Sequence, residues 1–208
     1  MIKEACVESL QEALQAEKQG ADQIELCGRL DLGGITPELT LVEEVMENLN
    51  IHVKVMVRPR GGNFIYSQKE VDVMSVAIEF LKNMGVQEVV LGLLTDQDQI
   101  DIENTKRLVA LAQPMRVTFH KAIDEISDPI AGVKQILKVP GITGILTSGG
   151  KSTAKEGAVV IKEMIAEAGD SIQVIAAGKI TNENLKTIDQ LIGAKAYHGK
   201  LIVGDLNR

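Results

Sequence analysis

A helical segment that ends at a glycine and leads into a short β-branched run recurs along this chain, and this repeat constrains the fold most. The junction glycines are Gly20, Gly85, Gly141, Gly169 and Gly193. Glycine at the end of a helix takes the left-handed conformation without steric cost, and the apolar run after it is typical of a buried strand. Eight strands are predicted near residues 2–7, 23–27, 52–58, 88–93, 115–120, 143–147, 172–177 and 195–198.

The alternation of strands and helices predicts right-handed crossovers and a parallel sheet. Eight such units in 208 residues most simply close into a (β/α)8 TIM-type barrel. A doubly wound open sheet is the alternative. No Pro/Ser-rich linker or low-complexity tract interrupts the chain, so residues 1–208 are predicted to form a single barrel domain.

The last unit of the predicted barrel is short. Only KLIVGDLNR follows the segment AYHG, which is too little for a full eighth helix. We therefore expect apolar surface beside the first strand to be left open, and surface of this kind usually finds a partner. The expected assembly is a homodimer.

Several helix starts are marked by capping residues. Ser9 with Glu12, and Ser67 with Glu70, have the spacing of a capping box. Thr36 and Asp128 each precede a proline, which predicts a capping side chain just before the first helical turn.

Composition narrows the class of partner. The formal charge is −7 and only 2% of residues are aromatic, which argues against nucleic acid as a ligand. No apolar run approaches the roughly 20 residues that cross a bilayer, and the start MIKEACVES does not resemble a signal peptide. We expect a cytoplasmic protein with two reduced cysteines, and a metal ion or a small anionic molecule as its ligand.

Charged residues within strands indicate which side chains face the barrel lumen. Both faces of a barrel strand are buried, and a charge is tolerated only on the lumen side, where it can be paired or hydrated. Side chains alternate along a strand, so one charge sets the orientation of its neighbours. The side chains predicted to face the lumen are Glu4, Cys6, Glu25, Cys27, Lys54, Met56, Arg58, Arg116, Thr118 and His120.

The stretch VMVRPRGGNF ends the third strand with two arginines and two glycines. Arg58 is predicted at the C-terminal end of that strand, where barrel active sites are built, and Arg60 is expected to overhang the mouth. Guanidinium groups match carboxylates and phosphates in two-point contacts, which favours an anion clamp. The alternative is that Arg58 neutralises Glu25 or Glu4 in a structural network.

Cys6 and Cys27 are the two cysteines, and both are predicted in the lumen on neighbouring strands. Thiolates are soft ligands that favour Cu(I), so the pair is a candidate copper site, with Met56 as a weak third ligand. The alternative is that each thiol is simply a small buried apolar group.

A second hypothesis is an enzyme that acts on a small phosphorylated or carboxylated metabolite. Barrels often hold phosphate in the loops after their last strands. The segments LTSGGKS and AAGKIT occupy such positions. Glycines are also common in the turns between strands and helices for structural reasons alone. The candidate anion site consists of Arg60, Ser148, Gly149, Gly150, Gly178 and Lys179.

The residues available for catalysis in this second hypothesis are Glu25, Arg58, His120 and Asp124. His120 titrates near neutrality when unperturbed, Asp124 can orient it, and Glu25 can transfer a proton. This set fits a lyase or an isomerase without selecting either, and a hydrogen-bonded core histidine is the alternative for His120. His52 is interpreted as a residue at the start of a strand, and the role of His198 is left open.

Four long blocks of the sequence together resemble the CutC family of copper-homeostasis proteins. They are GADQIELCGRLDLGGITPE, VMVRPRGGNFIYS, VTFHKAIDE and ILTSGG, in the family's order over nearly the whole chain. The resemblance implies a (β/α)8 barrel, a cytoplasmic location and a role in copper handling, but it implies no defined reaction. This chain departs from the family pattern at Lys121, Ile123 and Lys179.

Overall fold

The computed structural model describes residues 1–207 and contains a closed barrel of eight parallel strands in chain order. The strands are β1 (Ile2–Val7), β2 (Gln23–Leu26), β3 (His52–Met56), β4 (Glu88–Leu91), β5 (Arg116–Phe119), β6 (Ile142–Thr147), β7 (Gln173–Ala176) and β8 (Ala196–Gly199). Because β8 pairs with β1, the predicted (β/α)8 barrel is confirmed and the open-sheet alternative is excluded.

Seven α-helices alternate with these strands in the part of the chain that the structure describes. They are α1 (Leu10–Lys18), α2 (Leu39–Asn48), α3 (Gln68–Asn83), α4 (Ile102–Ala112), α5 (Pro129–Ile136), α6 (Ala158–Ala168) and α7 (Leu185–Ile192). None of the helices in residues 1–207 is both long and apolar enough to cross a membrane.

Three of the predicted helix caps are present, one of them in part. Ser67 and Glu70 form a full capping box at the start of α3, and the Asp128 carboxylate accepts two backbone N–H groups in the first turn of α5. Ser9 caps α1 by accepting the Glu12 amide, but the Glu12 carboxylate accepts the amide of Glu8 rather than that of Ser9.

The cap predicted at Thr36 is wrong. Helix α2 begins at Leu39, and its N-cap position, Glu38, makes no side-chain cap. The Thr36 hydroxyl instead donates to the carbonyl oxygen of Arg58 at 3.0 Å and accepts the Arg58 amide at 2.9 Å. Thr36 therefore fastens the loop after β2 to the end of β3, next to the barrel mouth.

The core has two layers, as alternation along the strands requires. Ile24, Leu26 and Val55 are fully buried in the layer between the barrel and its helices. Inside the lumen, a separate buried cluster joins Cys6, Cys27, Met56 and Val90, with Leu30 packed against it.

The segment after β8 covers the seam between the first and last units. Residues 200–207 form turns and no helix, so the eighth helix is absent from the described chain. Ile202 and Leu206 of this segment are buried in the core, and the Gln19 side chain donates to the Asp205 carbonyl oxygen at 2.9 Å. The segment thus fills space where we expected open apolar surface.

Candidate functional site

A cavity of about 120 Å³ opens at the C-terminal end of the barrel. Residues from six strands or the loops after them contribute side chains to it. Its lining includes Cys6, Glu25, Cys27, Met56, Arg58, Phe64, His120 and His198. This is the end at which (β/α)8 enzymes carry their active sites.

Two thiols and a carboxylate converge at the base of this cavity. Pairing of β1 with β2 sets Cys6 beside Glu25. The sulfur atoms of Cys6 and Cys27 each lie 3.6 Å from Glu25 Oε2. The two sulfurs and one oxygen all fall within 4.8 Å of one another, so a single metal ion can contact all three groups.

The two thiols are buried, unpaired cysteines that differ in acidity. A hydrogen bond with Cys27 lowers the pKa of Cys6 to about 5, against the opposing effect of burial and with help from His198. The same hydrogen bond and, to a smaller extent, burial raise the pKa of Cys27 well above its usual value. Cys6 is therefore the more acidic thiol of the pair.

His198 faces the thiols from β8, the strand that pairs with β1. Its Nδ1 lies 2.8 Å from Glu4 Oε1, and its Nε2 lies 3.8 Å from Glu25 Oε2. Burial lowers the pKa of His198, but Glu25, Cys6 and Glu4 together outweigh this effect and raise it well above the ordinary value. Burial raises the pKa of Glu25 to about 8, although the charge of His198 opposes the shift.

A buried ion-pair network lies beneath the thiols. Lys54 Nζ donates to Glu4 Oε2 at 2.9 Å and to Glu88 Oε1 at 3.1 Å. Glu88 Oε2 also lies 2.9 Å from His52 Nε2 and 3.2 Å from the Arg116 guanidinium, at the opposite end of the barrel. These contacts hold the Glu4 carboxylate, and through it His198, in one position.

The Arg58 guanidinium braces loops of the barrel mouth. It donates to the carbonyl oxygens of Gly33 at 3.0 Å, Gly34 at 3.1 Å and Gly62 at 2.6 Å. It also lies over the Phe64 ring, 4.7 Å from the centroid. Of the three guanidinium nitrogens, Nε has no hydrogen-bond partner within residues 1–207, so little of the guanidinium is left to bind an anion.

Arg60 does not line the mouth cavity. Its guanidinium is bonded to the Glu70 carboxylate in α3 and to backbone and side-chain oxygens of Asn63, and it lies over the Tyr66 ring. The expected overhang is replaced by these contacts because the capping carboxylate of α3 is within reach.

His120 lines the cavity as a buried, neutral imidazole. Burial, together with the charge of Arg58, lowers the pKa of His120 to about 3. Its Nδ1 accepts the Ala122 amide at 3.2 Å, which leaves the proton on Nε2. Nε2 has no hydrogen-bond partner in residues 1–207, and the ring packs 4.7 Å from that of Phe64.

Asp124 is used by the loop after β6 rather than by His120. Its carboxylate accepts the amides of Ser148 at 2.8 Å and Gly150 at 2.9 Å, and the Thr147 hydroxyl. The amide of Gly149 donates to Thr147 Oγ1 at 2.9 Å. The amides predicted to bind a substrate anion thus already surround a carboxylate of the protein itself.

Gly178 and Lys179 lie in the turn after β7, where both have a positive φ, 111° and 56°. They line a wider outer cavity of about 470 Å³ that also includes Cys6, Lys121 and His198. A Cβ at Gly178 would approach the Ala154 amide nitrogen to 2.8 Å, so the turn needs glycine for packing. A role for either residue in anion binding stays a prediction.

The sequence-based interpretation missed three contributors to this site. The sequence-based prediction assigns no role to His198 and does not include the buried carboxylate of Glu88 or the ring of Phe64. Glu88 was detectable, because it is a charged residue in a strand, which is the signal used for Glu25. No comparable signal marked Phe64.

Comparison with known proteins identifies relatives over almost the full length of the chain. The model of the CutC family matches residues 1–203. The human copper homeostasis protein cutC homolog is 42% identical over 197 residues, which cover 95% of this chain and 72% of the human protein. The mouse homolog is 43% identical with the same coverage. The crystal structure of a CutC protein from Streptococcus agalactiae superimposes with a TM-score of 0.92 at 33% identity, covering 97% of this chain and 99% of that one. The family model, the sequence identity and the fold therefore agree, and this chain belongs to the CutC family.

Proposed function

We propose that this protein binds Cu(I) at the barrel mouth through Cys6 and Cys27, as part of copper homeostasis. The observation that carries the proposal is the convergence of two buried, unpaired thiols with the Glu25 carboxylate within 4.8 Å. The names of its relatives, which are copper homeostasis proteins, agree with a copper ligand.

The chemistry of the thiol pair favours Cu(I). Thiolate and thioether sulfurs are soft ligands that select Cu(I) over hard cations. The lowered pKa of Cys6 supplies one thiolate at neutral pH, and the metal itself displaces the second thiol proton. Met56 packs in the same buried cluster as the thiols and offers a third sulfur. Val90 and Leu30 shield the cluster from water.

An enzyme that acts on a small phosphorylated or carboxylated metabolite has less support. Such an enzyme needs free groups to hold the anion, and the most suitable groups are already engaged. The Arg58 guanidinium is bonded to three carbonyl oxygens, and Asp124 occupies the amides of Ser148 and Gly150.

The copper proposal is tested by competition with a chromophoric Cu(I) chelator under anaerobic, reducing conditions. We expect Cys6→Ser and Cys27→Ser each to weaken Cu(I) binding by more than about tenfold, which corresponds to about 1.4 kcal/mol. Met56→Leu should weaken it less. Met74→Leu is the matched control, since Met74 is equally buried but lies in the layer outside the barrel. Unchanged affinity in both cysteine variants would contradict the proposal.

The proposal includes a cytoplasmic location, because free thiol ligands persist in a reducing compartment. Cell fractionation tests this point.

A homodimer also remains part of the proposal, and the exposed apolar side chains of Val73, Val76 and Phe80 along one side of α3 are consistent with a contact surface. Light scattering at micromolar concentration is the measurement, and a monodisperse monomer would count against the dimer.

A further inference from the structure

We propose that Cys6, Cys27, Glu25 and His198 form a four-ligand site that binds Zn²⁺ in the copper-free protein. The site shares the two thiols of the proposed copper centre but does not require that copper binds. It extends the proposed function by a second class of metal ion, recognised by a nitrogen and an oxygen in addition to the sulfurs.

The orientation of His198 is that of a metal-ligating histidine. Ligating histidines usually direct one ring nitrogen at the metal and donate the other N–H to a carboxylate, which fixes the ring. Here Nδ1 lies 2.8 Å from Glu4 Oε1. The other oxygen of Glu4 accepts from Gln23 at 2.6 Å and from Lys54 at 2.9 Å. Glu4 is thus anchored as an acceptor, and Nε2 is the nitrogen that faces Glu25 and Cys6.

Glu25 stands between the imidazole and the two sulfurs. Its Oε2 lies 3.8 Å from His198 Nε2 and 3.6 Å from each of the Cys6 and Cys27 sulfurs. Its Oε1 is buried and has no hydrogen-bond donor in the described part of the chain, residues 1–207. A buried carboxylate oxygen without a donor is unfavourable, and a bound cation would satisfy it.

The donor set identifies the metal. Two thiolates, one imidazole and one carboxylate are a mixed sulfur, nitrogen and oxygen set, typical of tetrahedral Zn²⁺. Cu(I) at the same place would use the sulfurs chiefly. The ligands come from β1, β2 and its end, and β8, so closure of the barrel assembles the site. Each ligand gives up any proton that its coordinating atom carries, so binding releases protons to solvent, with no change of oxidation state.

The experiment uses untagged, copper-free, reduced protein. Co²⁺ serves first as a spectroscopic probe for Zn²⁺, and Zn²⁺ is then added to displace it. We expect one Co²⁺ per chain, with thiolate charge-transfer absorption and the visible bands of a tetrahedral ion, both lost as Zn²⁺ binds. X-ray absorption of the Zn²⁺-loaded wild-type protein should give sulfur neighbours at about 2.3 Å and nitrogen or oxygen neighbours at about 2.0 Å.

Variants distinguish residues that bind or orient the metal from buried residues that do not. Glu4→Gln keeps all four proposed ligands and removes the charge of the orienting carboxylate, so it should weaken Co²⁺ and Zn²⁺ binding by about 10- to 100-fold. His198→Gln, which removes a ligand, should weaken binding more. His52→Gln is the matched control, because His52 is also bonded to a buried carboxylate, that of Glu88 at 2.9 Å, but at the opposite end of the barrel. It should leave binding unchanged.

The proposal is overturned if wild-type protein binds no Co²⁺ or Zn²⁺, if bound Co²⁺ lacks thiolate absorption, or if the zinc neighbours include no imidazole nitrogen. The absorption measurement on wild-type protein keeps the test decisive even where His198→Gln does not fold. Chelator competition with Cu(I) is read separately. Cu(I) binding without Zn²⁺ binding would defeat only this proposal, and the reverse would defeat only the copper proposal.

Discussion

Replacing Lys54 with methionine should destabilise the protein more than any change at an exposed ion pair. Lys54 is only 2% exposed, and its ammonium group lies 2.9 Å from Glu4 and 3.1 Å from Glu88. Removing one partner of a buried ion pair leaves an uncompensated charge, at a cost of about 3–5 kcal/mol. We expect the lower end, about 3 kcal/mol, because Glu4 keeps His198 and Glu88 keeps His52.

Equilibrium unfolding in urea measures this loss. A deficit of 3 kcal/mol in a chain of this length corresponds to a decrease in Tm of about 6–12 °C. Lys195→Met is the control, because the Lys195–Asp170 ion pair has the same 2.9 Å separation but exposed side chains, and exposed pairs contribute little. The double variant Lys54→Met/Glu88→Gln should recover part of the lost stability, since one stranded charge is removed.

The pH dependence gives a second test of the same interaction. Burial opposes the shift, but His52 and Lys54 lower the pKa of Glu88 to about 2, from an ordinary value of 4.5. The pKa of Glu4 is lowered too, chiefly by Lys54 and His198 acting against burial. A depressed folded-state pKa stabilises the protein above the unfolded value, and this contribution is lost as pH falls from about 4.5 to about 2.

Lys54→Met removes one cause of both pKa shifts. Acidification therefore lowers the free energy of unfolding of the variant less than that of the wild-type protein. The stability gap should therefore be largest near neutral pH and should narrow as the pH falls below about 4.5. A deficit below about 1 kcal/mol at pH 7, or a gap that stays constant down to pH 3, would refute the view that Lys54 holds the two carboxylates ionised.

Three further outcomes are expected. Asp124→Ala frees the amides of the loop after β6, so we expect the free energy of unfolding to fall by about 2 kcal/mol and phosphate to raise the Tm of the variant but not that of the wild-type protein. If phosphate changes both Tm values equally, the Asp124 carboxylate does not occupy an anion site. Arg58→Lys cannot reproduce the three carbonyl contacts of the guanidinium, so limited proteolysis should cut the loop after β2 faster, and an unchanged rate would contradict the brace. Gly92→Ala would place a Cβ 2.4 Å from His120 Nδ1, and unfolding should show a loss of about 1–3 kcal/mol, with no loss indicating that the ring moves freely.

The inward-facing residues could be predicted because a buried strand tolerates a charge on one side only. Glu25 in β2 determined the orientation of Cys27, and Lys54 in β3 determined that of Met56. The structure brings Cys27 and Met56 into one lumenal cluster with Cys6. The reasoning needs no knowledge of neighbouring strands, since alternation is a local property of the backbone.

Predictions that concerned loops were less successful, because they depend on which groups a folded loop brings into reach. Asp124 was expected to assist His120, four residues away, but it contacts Ser148, 24 positions further along the chain. Arg60 was expected at the mouth, but it pairs with Glu70 because the first turn of α3 lies beside it. A polar side chain in a loop binds the nearest suitable partner, and sequence spacing does not identify that partner.

The orientation of His198 shows where alternation stops being informative. β8 reads AYHG and contains no charged residue, so nothing in the strand indicates which side chain faces the lumen. In the structure, the Tyr197 hydroxyl donates to Asp189 in α7, on the outer side of the barrel. Because side chains alternate along a strand, the neighbouring His198 then faces the lumen. Its partner Glu4 is 194 positions away and becomes a neighbour only when β8 pairs with β1. The nitrogen of the proposed zinc site thus depends on the last pairing that closes the barrel, whereas both sulfurs belong to the first two strand units. A chain that pairs β1 with β2 but leaves the barrel open would keep the soft ligands and lose the histidine.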